Sequence, residues 1–140
     1  MKFSVLIVNY ASWPLTLRCI ESLYGTGYAD FETIVVDNDS VEPPELPSQA
    51  RLIRNKENVG FARAHNRGIA VSTGEIVILI NPDTVVEKDF FDSLERFFQE
   101  HPKVGIAGPR ILDAEGELQL SARREISALS GLLGRTSKDS

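Results

Sequence analysis

Each of the longest apolar runs in this sequence stops on a carboxamide or a carboxylate. Residues 3–8 run into Asn9-Tyr10, residues 31–36 into Asp37-Asn38-Asp39-Ser40, and residues 76–80 into Asn81-Pro82-Asp83-Thr84. A carboxamide donates and accepts hydrogen bonds, and an ionised carboxylate only accepts them. One Asp or Asn after a strand is commonly just a turn residue. Three such ends on one sheet edge point instead to a shared polar site, because ligands of open α/β sheets sit outside the carboxyl ends of the strands. Asn58-Val59-Gly60 comes just before a predicted helix, whose unpaired N–H groups favour an anion such as a diphosphate. Gly60 would let a ligand approach the backbone closely, and is equally explained as a helix cap. Neither a glycine-rich turn after the first strand nor a Gly-Lys-Ser/Thr loop occurs. A nucleotide site here is therefore not of the dinucleotide or P-loop kind.

The elements that must position these residues follow from periodicity. Short β-branched runs alternate with longer amphipathic stretches, which predicts βαβ units and a mainly parallel sheet. Ser12 is a candidate N-cap with Pro14 in the first turn, and Trp13, Leu17, Ile20 and Tyr24 predict one buried stripe. Glu42-Pro43-Pro44-Glu45-Leu46-Pro47 must be loop, and residues 52–53 mark a short third strand. The helix starting near Gly60 carries Phe61, Ala64 and Gly68 on one side, with small residues suited to close packing. Residues 76–80 form the most apolar run and are expected as the central strand. Phe90, Phe91, Leu94, Phe97 and Phe98 predict a second core stripe. Residues 104–107 read as another strand, and Asp113-Ala114-Glu115-Gly116 as the turn of a hairpin. From about Arg123 the pattern decays, so residues 122–140 are expected to be a loose tail or the start of a further part.

Composition sets the remaining bounds. The 140 residues suit one core, and the 42% hydrophobic and 25% charged content is that of a globular chain. A formal net charge of -5 offers no basic field for nucleic acid. No stretch approaches the roughly 20 apolar residues of a membrane span. The start reads as a first strand rather than a signal peptide. Cys19 is the single cysteine, so no internal disulfide or cysteine-cluster metal site exists, and a reducing cytoplasmic setting is expected. Cys19 reads as core and Trp13 as core or rim. His65 either faces a phosphate or is a solvated surface residue.

Four ordered motifs carry a resemblance. They are Val5-Leu6-Ile7-Val8-Asn9-Tyr10, Ile34-Val35-Val36-Asp37-Asn38-Asp39-Ser40, Asn58-Val59-Gly60-Phe61-Ala62-Arg63-Ala64-His65-Asn66-Arg67-Gly68 and Leu79-Ile80-Asn81-Pro82-Asp83. Together they resemble the family-two inverting glycosyltransferases of the GT-A fold, especially the rhamnosyltransferase-like branch, over about residues 1–121. The resemblance implies a truncated, Rossmann-like, mainly parallel sheet with flanking helices that binds a UDP- or dTDP-linked sugar. It implies that Asp37 accepts a hydrogen bond from the nucleotide base and that Asn9 lines the same pocket. Asn58, Gly60, Asn66 and Asn81 fall on the nucleoside and diphosphate side, with Arg63 a further candidate. Asp83 matches the last acidic position of the family's DxD motif, which holds Mg²⁺ or Mn²⁺ on the sugar diphosphate. Asn81 stands at the first position of that motif, so this chain offers one charged ligand fewer.

The family's general base lies well after that motif, in an acceptor-binding half, and no catalytic residue is assigned here. Asp113 and Glu115 are late acids before the tail, and both sit in a predicted turn. The chain is therefore expected to bind donor and to transfer sugar weakly or not at all. A glycan or lipid-linked acceptor, a role in polysaccharide or cell-envelope synthesis, and a peripheral place at the inner membrane face complete the expectation. Two other readings stay open. One is a non-catalytic nucleotide-binding or interaction module. The other is a nucleotidyltransferase, which would carry a glycine-rich basic loop after the first strand.

Overall fold

The computed structural model describes residues 2–40, 42–113 and 115–119. The expected tail of residues 122–140 lies outside them. The chain divides into two compact units, Met1–Pro102 and Lys103–Ser140. In the first, β1 (Phe3–Asn9), α1 (Trp13–Gly25), β2 (Phe31–Asn38), β3 (Ala50–Asn55), α2 (Phe61–Ile69), β4 (Ile76–Ile80) and α3 (Phe90–Glu100) follow one another. The four strands form one parallel sheet in the order β3-β2-β1-β4.

β1 and β2 are buried along most of their length, which is why they read as almost continuous apolar runs. Successive side chains alternate between the two faces of a strand. Phe3, Val5, Ile7 and Val35 accordingly pack with Cys19, Ile20 and Leu23 of α1 and Phe91 of α3. Leu6, Ile34 and Val36 pack on the other face with Ala64 of α2. Each fully buried side chain of this size contributes about 1.5–3 kcal/mol. α2 sits close to the sheet because its contact face is small. A Cβ at Gly68 would stand 2.7 Å from Leu6 Cδ2.

The structure corrects several expectations. The strand of residues 76–80 is not central: β4 pairs with β1 alone and lies at one end of the described sheet. Its side chains alternate between partly covered and exposed, with Val77 and Leu79 outward. Apolarity reports whether a strand's faces are covered, not how many neighbours it has. The stripe of α1 that is buried runs through Thr16, Cys19, Ile20 and Leu23, with Trp13 and Tyr24 at its margin. Ser12 is the N-cap residue of α1 but its hydroxyl accepts no cap bond; it donates to Asn9 Oδ1 at 3.0 Å.

In the second unit, residues 104–107 form no strand, and Ile106 is 94% exposed. The expected hairpin is present. β5 (Ile111–Leu112) pairs antiparallel with β6 (Leu118–Gln119). Asp113 Oδ1 closes the turn by accepting from the N–H groups of Glu115 and Glu117 at 3.1 and 2.9 Å.

Candidate functional site

The sheet order reverses at β1, since β2 and β3 step away on one side and β4 lies on the other. At such a switch point the connections diverge and leave a crevice beyond the strand ends. An open hollow of about 370 Å³ occupies it, within the range of small-ligand sites. Val8 and Tyr10 line it from the end of β1, Asn38 from β2, Asn81 and Pro82 from behind β4, and Asn58, Gly60 and Phe61 from the start of α2.

Local sequence explains these placements. Gly60 has φ +82°, a conformation that favours glycine, and from it α2 begins. The first α-helical bond is Ala64 N–H to Gly60 O, so the N–H groups of Phe61, Ala62 and Arg63 precede it. The Gly60 N–H itself is taken, donating to Asn58 Oδ1 at 2.9 Å. After β4, Thr84 N–H bonds Asn81 O at 3.2 Å, with Pro82 at the first corner and Asp83 exposed at the second. Ala11 and Asp39 both have positive φ, at 50° and 68°, so two non-glycine residues are strained just beyond β1 and β2.

The register brings Asn9 beside Asp37 and Asn38 beside Asn55. The expected site residues therefore fall into two networks, one on each face of the sheet. On the α1 side, Asn9 and Asp37 are fully buried. Asn9 Nδ2 donates to Asp37 Oδ1 at 3.0 Å and to Ser40 Oγ at 2.9 Å, and its Oδ1 accepts from Ser12 and Thr16. Asp37 Oδ2 lies 3.4 Å from the Nε of half-exposed Arg54.

On the α2 side, Asn38 bonds Asn55, Asn58 and the Val59 N–H, and this network reaches the hollow. Ser12 links the two networks, lining the hollow while bonding Asn9. Asn58, Gly60 and Asn81 are thus brought together at the hollow, with Asn9 and Asp37 joined behind it. Asn66 is exposed on α2 and does not line the hollow. Asp83 lies near enough to Cys19 to act on its thiol, whose pKa is raised to about 12 by burial first and by that carboxylate second.

Sequence reasoning passed over Asn55 and Arg54 and named Asn38 only within the run that ends the second strand; the partners of all three are set by strand register rather than by neighbours in the chain. It also left His65 open. His65 is 3% exposed, its Nδ1–H donates to Phe61 O at 3.0 Å, and its buried Nε2 has no partner among the described residues.

No group of three or more His, Cys, Asp or Glu side chains among the described residues could hold a metal by itself. The exposed Asp83 carboxylate, next to a hollow rimmed by amides, suits a hard cation that takes its other oxygens from phosphate and water. Among the described residues no helix is long and apolar enough to cross a membrane.

Comparison with known proteins bears on the family and the fold. The family Glycosyl transferase family 2 matches residues 4–138. An N-acetylglucosaminyl-diphospho-decaprenol L-rhamnosyltransferase of Mycobacterium tuberculosis is 29% identical over 91% of this chain and 47% of its own length. Glycosyltransferase GlyG of Streptococcus pneumoniae is 26% identical over 69% of this chain and 35% of its own. S. aureus TarS 1-349, solved in complex with UDP-GlcNAc, superposes with a TM-score of 0.64 at 22% identity, over 73% of this chain and 32% of that one. The mannosyltransferase PcManGT of Pyrobaculum calidifontis, solved with GDP-Man and Mn²⁺, gives a TM-score of 0.61 at 21% identity, over 69% and 32%.

Sheet, flanking helices and structural neighbours define an α/β protein of the GT-A fold. The chain belongs to glycosyl transferase family 2. It spans 12% to 47% of the length of the curated relatives it matches.

Proposed function

We propose that this chain is the donor-binding part of an inverting glycosyltransferase that takes a UDP- or dTDP-linked sugar. The observation that carries the reading is the hollow at the switch point, where Asn38, Asn58, Asn81 and the first turn of α2 converge. The unpaired amides of that turn favour an anion, which suits the diphosphate. Asp37 is the base-reading candidate on the neighbouring network, and Arg54 is the side chain that gives way for a base to reach its Oδ2. Asp83 would hold a divalent cation, which when bound neutralises charge on the leaving diphosphate.

In the full reaction an acceptor hydroxyl attacks the anomeric carbon from the face opposite the diphosphate. The new C–O bond forms as the bond to the diphosphate breaks, and a base takes the hydroxyl proton. Asp113 is tied up in closing its turn, so the base is sought in the portion of the relatives that this chain does not span. General-base help is worth about 10²–10⁴-fold, and the 140-residue chain is expected to bind donor and turn it over feebly. A lipid-linked or glycan acceptor in cell-envelope synthesis, at the cytoplasmic face of the membrane, fits the rhamnosyltransferase relative.

Titration calorimetry with UDP and dTDP, with and without Mn²⁺, tests the reading. Binding is expected for both ligands and to strengthen with the ion, while Mn²⁺ alone binds weakly because one carboxylate is its only charged ligand. Asp83→Ala should erase the Mn²⁺ effect and leave the thermal midpoint unchanged. Absence of nucleotide binding by the unaltered chain would refute the donor-site reading, and a metal effect that outlives Asp83→Ala would refute the cation's placement.

A further inference from the structure

The two edges of the four-stranded sheet are built differently. β3 closes one of them and carries exposed Arg51 and Arg54, charges of the kind that keep an edge from pairing with another chain. β4 forms the other edge as Ile76-Val77-Ile78-Leu79-Ile80, with neither a charge nor a proline, and its register with β1 is unbroken. Among the described residues its outer flank has no partner strand. One face of β4 is covered, since Ile76, Ile78 and Ile80 belong to the core that holds α1 and Phe91 of α3. The other face is not. Register sets Val77 beside Ser4 and Leu79 beside Leu6, and Leu6 packs on the α2 side. Val77 and Leu79 therefore stand on that side, and they remain 37% and 52% exposed. An apolar strand that is open along one flank and unguarded by charge is a template for another strand.

We propose that this flank is a self-association surface, on which a second copy of the chain pairs its own β4 antiparallel about a two-fold axis at Ile78. The strand is self-complementary in that register. Val77 falls beside Leu79 of the partner subunit and Ile76 beside Ile80 of the partner subunit, so apolar side chains meet apolar ones on both faces. Just outside the strand, Glu75 falls beside Asn81 of the partner subunit, a carboxylate beside a carboxamide able to donate. No carboxylate meets its like across residues 75–81. An acidic or basic partner would find no charge on the strand to answer its own, which favours another copy as the occupant. The contact is isologous and uses up the unguarded edge, so assembly stops at two. A five-residue edge is small for a specific interface, under about 1,200 Å², so the dissociation constant should be on the order of 10⁻⁵–10⁻³ M. The proposal is independent of the donor-site reading.

Sedimentation equilibrium of the 140-residue chain across that concentration range tests it. The mass should rise from monomer towards dimer and go no further. Val77→Lys, at an exposed position, sets a lysine beside Leu79 of the partner subunit on both sides of the axis. It should raise the dissociation constant roughly tenfold or more. Cross-linking reads the register. Opposite residues of antiparallel strands lie about 4.5–5.5 Å apart at Cα, within the reach of a disulfide. A mixture of Val77→Cys and Leu79→Cys chains should form an intermolecular disulfide with oxidised glutathione, and neither variant alone should. Cys19 is fully buried and stays out of the reaction.

A mass that stays monomeric throughout overturns the proposal. Protection of the β4 amides from hydrogen exchange in that monomer would then assign the flank to another segment of the same chain. Growth past the dimer, an unchanged constant in Val77→Lys, or disulfides formed as readily by either cysteine variant alone would each overturn it as well. If Val77→Lys does not fold, Leu79→Lys takes its place with the same expected weakening.

Discussion

Asn9 spends both ends of its carboxamide inside the protein, on Asp37, Ser40, Ser12 and Thr16. Replacing it by Asp would set a second carboxylate against Asp37 where an N–H···O bond of 3.0 Å now stands. Two adjacent buried carboxylates cannot both ionise cheaply, so one of them acquires a raised pKa in the folded state. A raised folded pKa makes the penalty largest above the carboxylate range and relieves it as pH falls. Asn9→Asp is therefore expected to lose more stability in urea titrations at about pH 8 than at about pH 5, and equal losses at both would count against the paired geometry. The residue types at the strand ends were legible in the sequence, because carboxamides and carboxylates at that edge are conspicuous. Which of them touch one another was not, since Asn9–Asp37 and Asn38–Asn55 are made by strand register across 28 and 17 residues of chain. The division into two faces follows from the same alternation. A run such as Asp37-Asn38 reads as one polar cluster and yet sends its two side chains opposite ways.

The elements were legible wherever burial and periodicity coincide. β1, β2 and α3 follow from their apolar patterns, and the start of α2 from Gly60, a glycine with positive φ. β3 extends over Ala50–Asn55, beyond the two apolar residues that announced it, because its pairing with β2 carries it into polar sequence. Residues 104–107 have strand composition without a strand partner among the described residues, and composition alone does not make a ladder. Gly74 lets the chain turn into β4 against the backbone of β1. A Cβ there would lie 2.6 Å from Ser4 N and 2.7 Å from Phe3 C, whereas at Gly68 the nearest atoms belong to the Leu6 side chain. A side chain can shift and a paired strand cannot. Gly74→Ala is therefore expected to destabilise the protein more than Gly68→Ala, by about 1–3 kcal/mol or more for the former. Chemical denaturation of the two variants side by side decides it, and the reverse order would show that the turn into β4 is looser than its contacts indicate.

At the scale of the whole molecule, the polar site lies at one end of the sheet and a polar clamp at the other. Glu32 accepts from Ser4 Oγ at 2.6 Å and from both the N–H and the hydroxyl of Thr73 at 2.6 and 2.7 Å. Partial burial pushes its pKa upward, but these hydrogen bonds and nearby Lys2 outweigh that and leave it below its ordinary value of 4.5. A depressed folded pKa stabilises above the unfolded value and loses that contribution as pH falls through the folded one. Glu32→Gln should accordingly flatten the fall in melting temperature below about pH 4.5, and an unchanged acid limb would assign that sensitivity elsewhere. The clamp joins β1, β2 and the turn into β4, which come from distant parts of the sequence. That arrangement bears on how the protein is made. Of the four strands of this sheet, the first to be translated is one that ends up between two others, and its second neighbour is not complete until residue 80. Throughout that interval one flank of a seven-residue apolar segment stays unpaired in the nascent chain. Slowing translation before that point should lengthen its exposure to chaperones and to misassembly.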